Sequence, residues 1–135
     1  MIRVLIPSNS EFKNYYSECK KLYNSVQDKI CDDNSFDFIC KNTLFYLFLN
    51  NKTLIGAIYY FKDEEGKLFL NGFAKPKMHL LNLICLKYSL TWFNCDIYAE
   101  AQNRESALCL LRTGFKRENK RIFKYTKTLV YKIKI

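Results

Sequence analysis

Asn103-Arg104-Glu105-Ser106-Ala107-Leu108-Cys109-Leu110-Leu111-Arg112-Thr113-Gly114-Phe115 is the stretch from which the architecture of this chain can be built outward. Asparagine caps a helix by accepting from first-turn N–H groups. An aliphatic run follows, and Gly114 stops it, because glycine enters the left-handed conformation of a helix end at little steric cost. Phe115 then returns to an apolar core. Immediately upstream, Cys95 to Ala101 reads as a strand in which Asp96, Tyr98 and Glu100 alternate with Ile97 and Ala99.

Lys67 to Phe73 is a further strand, and Lys75-Pro76-Lys77 leads from it into a helix, Met78 to Phe93. Met78, Leu81, Cys85, Tyr88 and Trp92 form one stripe, and Leu80, Leu83, Ile84, Leu86 and Leu90 make the other faces apolar. Such a helix is expected to be buried on most sides. A strand–helix–strand crossover from Lys67 to Ala101 requires one parallel pair in the sheet. Further upstream, Thr43 to Leu49 and Thr53 to Phe61 are strands joined at Asn50-Asn51-Lys52, since asparagine tolerates positive φ. Asp63-Glu64-Glu65-Gly66 is the next turn.

At the start, Ile2 to Ile6 is a short strand closed by Pro7, and Ser8 with Glu11 has the spacing of a capping box. Phe12, Tyr15, Tyr16, Cys19, Tyr23, Val26 and Ile30 recur at helical steps, Asp32-Asp33-Asn34-Ser35 breaks the helix, and Phe36 to Cys40 is a short second one. Two strands end the chain: Phe115 to Tyr125, interrupted near Glu118-Asn119-Lys120, and Lys127 to Ile135. The expected fold class is α/β (α+β), a mixed and mostly antiparallel central sheet flanked by helices, in the order β-α-α-β-β-β-α-β-α-β-β.

The 135 residues suit one domain, 1–135, and 49% hydrophobic with 16% aromatic residues excludes a disordered chain. The apolar runs are far below spanning length and the first residues lack a cleavage site, so a cytoplasmic, membrane-free protein is expected. Six cysteines without a C-x-x-C pair, and one histidine, argue for reduced thiols and against a metal site. The net charge is +9, and residues 116–135 carry eight cations against the single acid Glu118. An anionic partner and a solvated strand edge guarded by lysines both account for that asymmetry.

The element order and the Asn103–Phe115 motif together resemble the GNAT family of N-acetyltransferases, whose last helix carries N-x-x-A-x-x-L-Y-x-x-x-G-F. The order matches over nearly the full length. The small size and short loops resemble compact GNAT-like proteins of bacteriophages, and the Lys/Asn/Tyr/Ile-rich usage suits an AT-rich genome. The resemblance implies that acetyl-CoA lies between diverging fourth and fifth strands, its pantetheine along Asn71, Gly72, Phe73 and Ala74. The pyrophosphate would sit on N–H groups at the start of the next helix, an anion site. Its neighbours there would be Lys75, Lys77, Met78, His79 and Leu80. Ser106 would approach the pantetheine arm. Asn103 would touch the cofactor or cap its helix, and His79 would donate to a phosphate or cover the surface. Glu100 would take the amine proton through water or be a solvated strand end.

Two departures from the family pattern stand out. The glycines of the family's R/Q-x-x-G-x-G/A loop are missing from Lys75-Pro76-Lys77-Met78-His79-Leu80-Leu81, where Met78 and Leu80 could obstruct phosphates. The Tyr that serves as acid in the family is replaced by Leu110, and Cys109 beside it points about 100° away on a helix. The resemblance implies acetyl transfer to a primary amine of a small molecule or a protein. An acid-lined cleft would suit a cationic acceptor, with Asp32, Asp33, Glu64 and Glu65 as candidates. Two other readings remain open: a GNAT-like module without catalysis, and nucleic-acid binding through the basic C-terminal hairpin, where Phe123, Tyr125 and Tyr131 interleave with lysines.

Overall fold

The structure, a computed structural model, describes residues 1–127. Seven strands form one sheet in the order β1-β2-β3-β4-β5-β7-β6. They are β1 (Ile2–Leu5), β2 (Leu44–Asn50), β3 (Thr53–Lys62), β4 (Leu68–Ala74), β5 (Ile97–Glu100), β6 (Lys116–Arg117) and β7 (Ile122–Tyr125). All neighbours are antiparallel except β4 and β5, the pair that the crossover requires. The α-helices are α1 (Tyr16–Val26), α2 (Phe36–Asn42), α3 (His79–Leu90) and α4 (Arg104–Thr113).

Strand alternation divides the core in two. On one face of the sheet Phe45, Tyr59 and Phe73 pack against Tyr23 of α1 and Phe36 of α2. On the other, Ile58, Tyr60, Leu70 and Phe123 pack against Leu86 of α3 and Leu110 of α4. The Asn51 turn (φ 57) joins β2 to β3 as its residue type predicts.

Four expectations change. The Ser8–Glu11 capping box does not form: a 3-10 turn spans Ser10–Asn14 behind Asn9, and Glu11 is taken by Arg3 at 2.6 Å. The amphipathic segment therefore runs as that turn, α1 and a second 3-10 turn, Gln27–Lys29. The interruption near residues 118–120 is the reversal of a hairpin, so residues 116–125 hold two strands, β6 and β7, in place of one. The strand expected over Lys127 to Ile135 lies, after its first residue, outside the described residues. Finally, α3 buries one side only. Leu80 (79%), Ile84 (55%) and Tyr88 (62%) are exposed, because the sheet and α4 cover the opposite side and the apolar pattern is alike all round.

The divergence of β4 from β5 has a local cause. Phe48 pairs with Gly56 but Leu49 pairs with Leu54, so Ile55 is an extra residue in β3. A bulge bends its strand and adds twist. β4 follows β3 through the bend: Ala74 pairs Gly56, and Lys75 N–H donates to Ile55 C=O at 2.8 Å. β5 does not follow, and its pairing with β4 ends at Leu70–Ala99.

Candidate functional site

Beyond Leu70 the β5-facing edge of β4 is open. Lys75 N–H bonds to β3, so the two-residue alternation turns the backbone of Gly72 and Ala74 toward the gap. A cleft of about 220 Å³ occupies this wedge. Its walls are Asn71 to Ala74 of β4, Ala99 and Glu100 of β5, one flank of α3 and one of α4. His79, Asn82 and Leu86 face it from α3 at helical spacing, as do Asn103, Ser106 and Leu110 from α4.

Each wall is fixed by identifiable bonds. Asn103 Oδ1 accepts from Ser106 N–H at 2.8 Å, which is the capping geometry, and Asn103 Nδ2 donates to Lys29 C=O at 2.9 Å. Gly114 ends α4 at φ 104. Asn71 bridges: its Nδ2 donates to Ile30 C=O, and its Oδ1 accepts from Gly72 N–H at 2.8 Å. Gln102 Nε2 donates to Asp28 C=O at 2.6 Å. Residues 28–30 therefore strap β4 to the β5–α4 junction on the α1 side of the wedge.

The approach to α3 is a turn closed by Met78 N–H donating to Lys75 C=O at 3.1 Å. Pro76 precedes Lys77, whose φ of 72 is the left-handed conformation that this kind of turn needs in its third residue. Lysine thus stands where glycine would be at ease. The helix that follows has no side-chain cap and no acid in its first turn, so its first N–H groups lack intrahelical partners.

The placement of the sequence-derived site residues divides them. Asn71, Gly72, Phe73, Ala74, His79, Glu100, Asn103 and Ser106 all line the cleft. Lys75, Lys77, Met78 and Leu80 do not: Lys75 Nζ pairs with Glu18 at 2.9 Å, Lys77 is exposed, Met78 packs against the core and Leu80 projects outward. Cys109 does reach the cleft, against the expectation from its 100° offset, and burial pushes its thiol up from the ordinary range.

Asn82 was not anticipated, yet it is the single polar residue within Leu80-Leu81-Asn82-Leu83-Ile84. Its Oδ1 is buried without a hydrogen-bond partner. A buried acceptor left unpaired is costly, and Asn82 is also one of the residues that line the cleft.

A second cavity of about 180 Å³ adjoins the first at Leu70, Asn71 and Glu100, and reaches Cys31, Phe61, Asp63 and Phe69. Glu100 borders both cavities and holds Arg121 at 2.7 Å. Of the basic tail, Arg121 and Lys124 are thus spoken for, Lys124 by Asp96 at 3.6 Å. The six thiols are free. Among the described residues no cluster could hold a metal ion, and no helix is long and apolar enough to cross a membrane.

A mostly antiparallel mixed sheet whose single parallel pair splays into a cleft, with α1 and α2 on one face and α3 and α4 on the other, defines an α/β (α+β) fold. More narrowly, the chain has the GNAT fold. An N-acetyltransferase from Staphylococcus aureus Mu50 is similar over 93% of this chain and 97% of its own, at TM-score 0.64 and 16% identity. Campylobacter jejuni N-acetyltransferase PseH in complex with acetyl coenzyme A is similar over 95% and 100%, at 0.59 and 15%. The PaiA N-acetyltransferase of Thermoplasma acidophilum in complex with coenzyme A is similar over 93% and 99%, at 0.52 and 16%. No protein-family model matches the sequence, and no curated protein matches it.

Proposed function

We propose that the protein is an acyl-CoA-dependent N-acyltransferase that moves an acetyl group from acetyl-CoA to a primary amine by direct attack in a ternary complex. The observation that carries this reading is the wedge between β4 and β5, with an open strand edge on one wall and the unpaired Asn82 Oδ1 on another. Pantetheine amides offer the donors and acceptors that such an edge and such an atom lack. Ala74 and the Gly72 carbonyl would pair with them, and Asn82 Oδ1 would accept one N–H. The uncapped first turn of α3, with His79 beside it, would hold the pyrophosphate. Lys77 supplies the left-handed turn without a glycine.

When bound, acetyl-CoA would supply a thioester whose acetyl group moves to an amine, forming a C–N bond and breaking the C–S bond, with one proton leaving nitrogen and one reaching the departing CoA sulfur. Glu100, held by Arg121 at the junction of the two cavities, would take the amine proton directly or through water. Leu110 has no proton to give, which leaves Cys109 and Ser106 as the proton-bearing groups on that wall. The absence of a hydroxyl at Leu110 favours a second reading, a cofactor-binding module that does not turn over.

Thermal unfolding with millimolar acetyl-CoA, against ATP as a polyphosphate control, tests the cleft. Ligand at about 100 times its dissociation constant adds roughly 2.7 kcal/mol. A shift with acetyl-CoA alone, together with amine-dependent thiol release, supports the transferase. A shift without release supports the module. No shift, or equal shifts, sinks both.

A further inference from the structure

The second cavity carries chemistry that the cofactor does not use. Its floor on the α1 side of the sheet carries Phe61 and Phe69, and cross-strand register sets Tyr98 beside Phe69, just outside the cavity. The rings are 6.0 Å and 5.6 Å apart between centroids. This row already attracts ammonium groups: Lys67 Nζ lies 5.1 Å and Lys124 Nζ 5.5 Å from the centre of Tyr98. Phe61 and Phe69 are half-buried and line the cavity, and among the described residues no lysine lies over either ring.

Carboxylates mark both ends. Asp63 lies beside Lys67, whose C=O accepts from its N–H at 3.0 Å. Glu100 lies one row past the last β4–β5 pair, level with Asn71. Four strand residues separate the two levels, about 13 Å along the sheet. Asp63 Oδ1 accepts from the N–H groups of Glu65 and Lys67, which closes the turn and leaves Oδ2 for another donor. Glu100 sits where the cavity opens into the cofactor wedge.

We infer that the acceptor is a small linear diamine. One ammonium rests against Asp63, the methylenes lie along Phe61 and Phe69, and the second nitrogen is delivered to Glu100 at the mouth of the cofactor wedge. An aliphatic chain covers aromatic rings while each end meets a carboxylate, and a cation over an aromatic face gains further attraction. A monoamine with the same body leaves Asp63 without its charge partner. The cavity is smaller than the roughly 300 Å³ at which drug-sized sites begin, so a bulky acceptor does not fit inside it. The inference rests on the transferase reading for its chemistry, although not for the binding itself.

The test compares cadaverine with n-pentylamine, which differ by one terminal ammonium, in acetyl-CoA-dependent thiol release. Cadaverine is expected to have the higher kcat/KM by about tenfold or more, the scale of a charge-assisted contact. Asp63→Asn keeps the Oδ1 acceptor that closes the turn, and should bring the ratio of the two amines toward one. Equal use of both amines by the wild type, or a ratio untouched by Asp63→Asn, overturns the inference and leaves the transferase standing. If no amine is acetylated, calorimetric titration of cadaverine and n-pentylamine into the protein alone decides. Tighter cadaverine binding that Asp63→Asn abolishes supports the diamine site while the transferase fails, and equal or absent binding sinks the inference.

Discussion

Replacing Asn82 by leucine should make the protein more stable and a poorer binder of acetyl-CoA. The Oδ1 atom is buried without a partner, and an acceptor in that state costs about 1–3 kcal/mol. Leucine has a similar volume and is the better helix former by a few tenths of a kcal/mol. Its neighbours on α3 are apolar, and the side chain would extend the surface made by Leu86. A net gain of about 1–2 kcal/mol follows, and in a chain of 135 residues each kcal/mol moves Tm by about 3–5 °C. Scanning calorimetry without ligand should show a rise of about 3–10 °C. The same change deletes the acceptor that a pantetheine N–H would fill. Losing one neutral hydrogen bond, about 1 kcal/mol, raises Kd roughly fivefold. Opposite signs in the two measurements mark a polar group kept for a ligand rather than for the fold. A variant that melts at or below the wild-type temperature would refute the account of Oδ1 as an unmet acceptor. One that is more stable yet binds acetyl-CoA unchanged would refute its assignment to the cofactor.

Lys77→Gly should stabilise the protein by up to about 1 kcal/mol in urea unfolding, because φ 72 strains any residue with a Cβ and the gain exceeds the added freedom of the unfolded chain. Gly56→Ala should cost about 3 kcal/mol or more, since the added Cβ would fall within 2.7 Å of Ala74 Cα and closer still to the Phe73 carbonyl oxygen, neither of which can move without the strand. Alkaline pH should destabilise the fold through its thiols. Burial first, and Asp37 second, push Cys40 from 9.0 up to about 12, and burial pushes Cys85 up to about 11. A raised thiol contributes stability that is complete below the unfolded value near 9 and is lost as pH climbs toward the folded one. Urea midpoints should therefore fall between pH 9 and 11, and Cys40→Ala should flatten the fall.

The parts of this fold that were legible are those that local chemistry sets. Asn103 and Gly114 bracket α4 as cap and stop because both roles are decided within one helical turn. The parallel β4–β5 pair follows from the crossover, which only one arrangement satisfies. The failures lie where distant partners decide. Glu11 has the spacing of a capping residue, but Arg3, eight residues away, holds its carboxylate. α3 is apolar all round, so no periodicity could mark Leu80, Ile84 and Tyr88 as its exposed side. The strap across the wedge acts through the backbone carbonyls of Asp28, Lys29 and Ile30, groups that every sequence possesses. Asn82 was legible in principle as a lone amide in an apolar run. Its unmet oxygen was not, since that depends on how β4 and α4 close around it.

The basic end of the chain takes a different meaning once the sheet is assembled. β7 lies beside β5, and their register sets Lys124 opposite Tyr98 and Ile122 opposite Glu100. Arg121 and Lys124 then meet Glu100 and Asp96, so acids of one strand and cations of the next form a ladder across the sheet. Exposed pairs of this kind add little stability singly. Their effect here is positional: Arg121 fixes where Glu100 sits, and it also reaches Gln102 Oε1 at 3.3 Å, the residue that anchors the strap. The pair places a carboxylate at the junction of the two cavities in a chain of net charge +9. An amine there would meet Glu100 beside Arg121, while exposed lysines farther off are screened within about 8–10 Å by ordinary salt. The charge asymmetry that first suggests an anionic partner is thereby compatible with a cationic acceptor, because the two act over different distances.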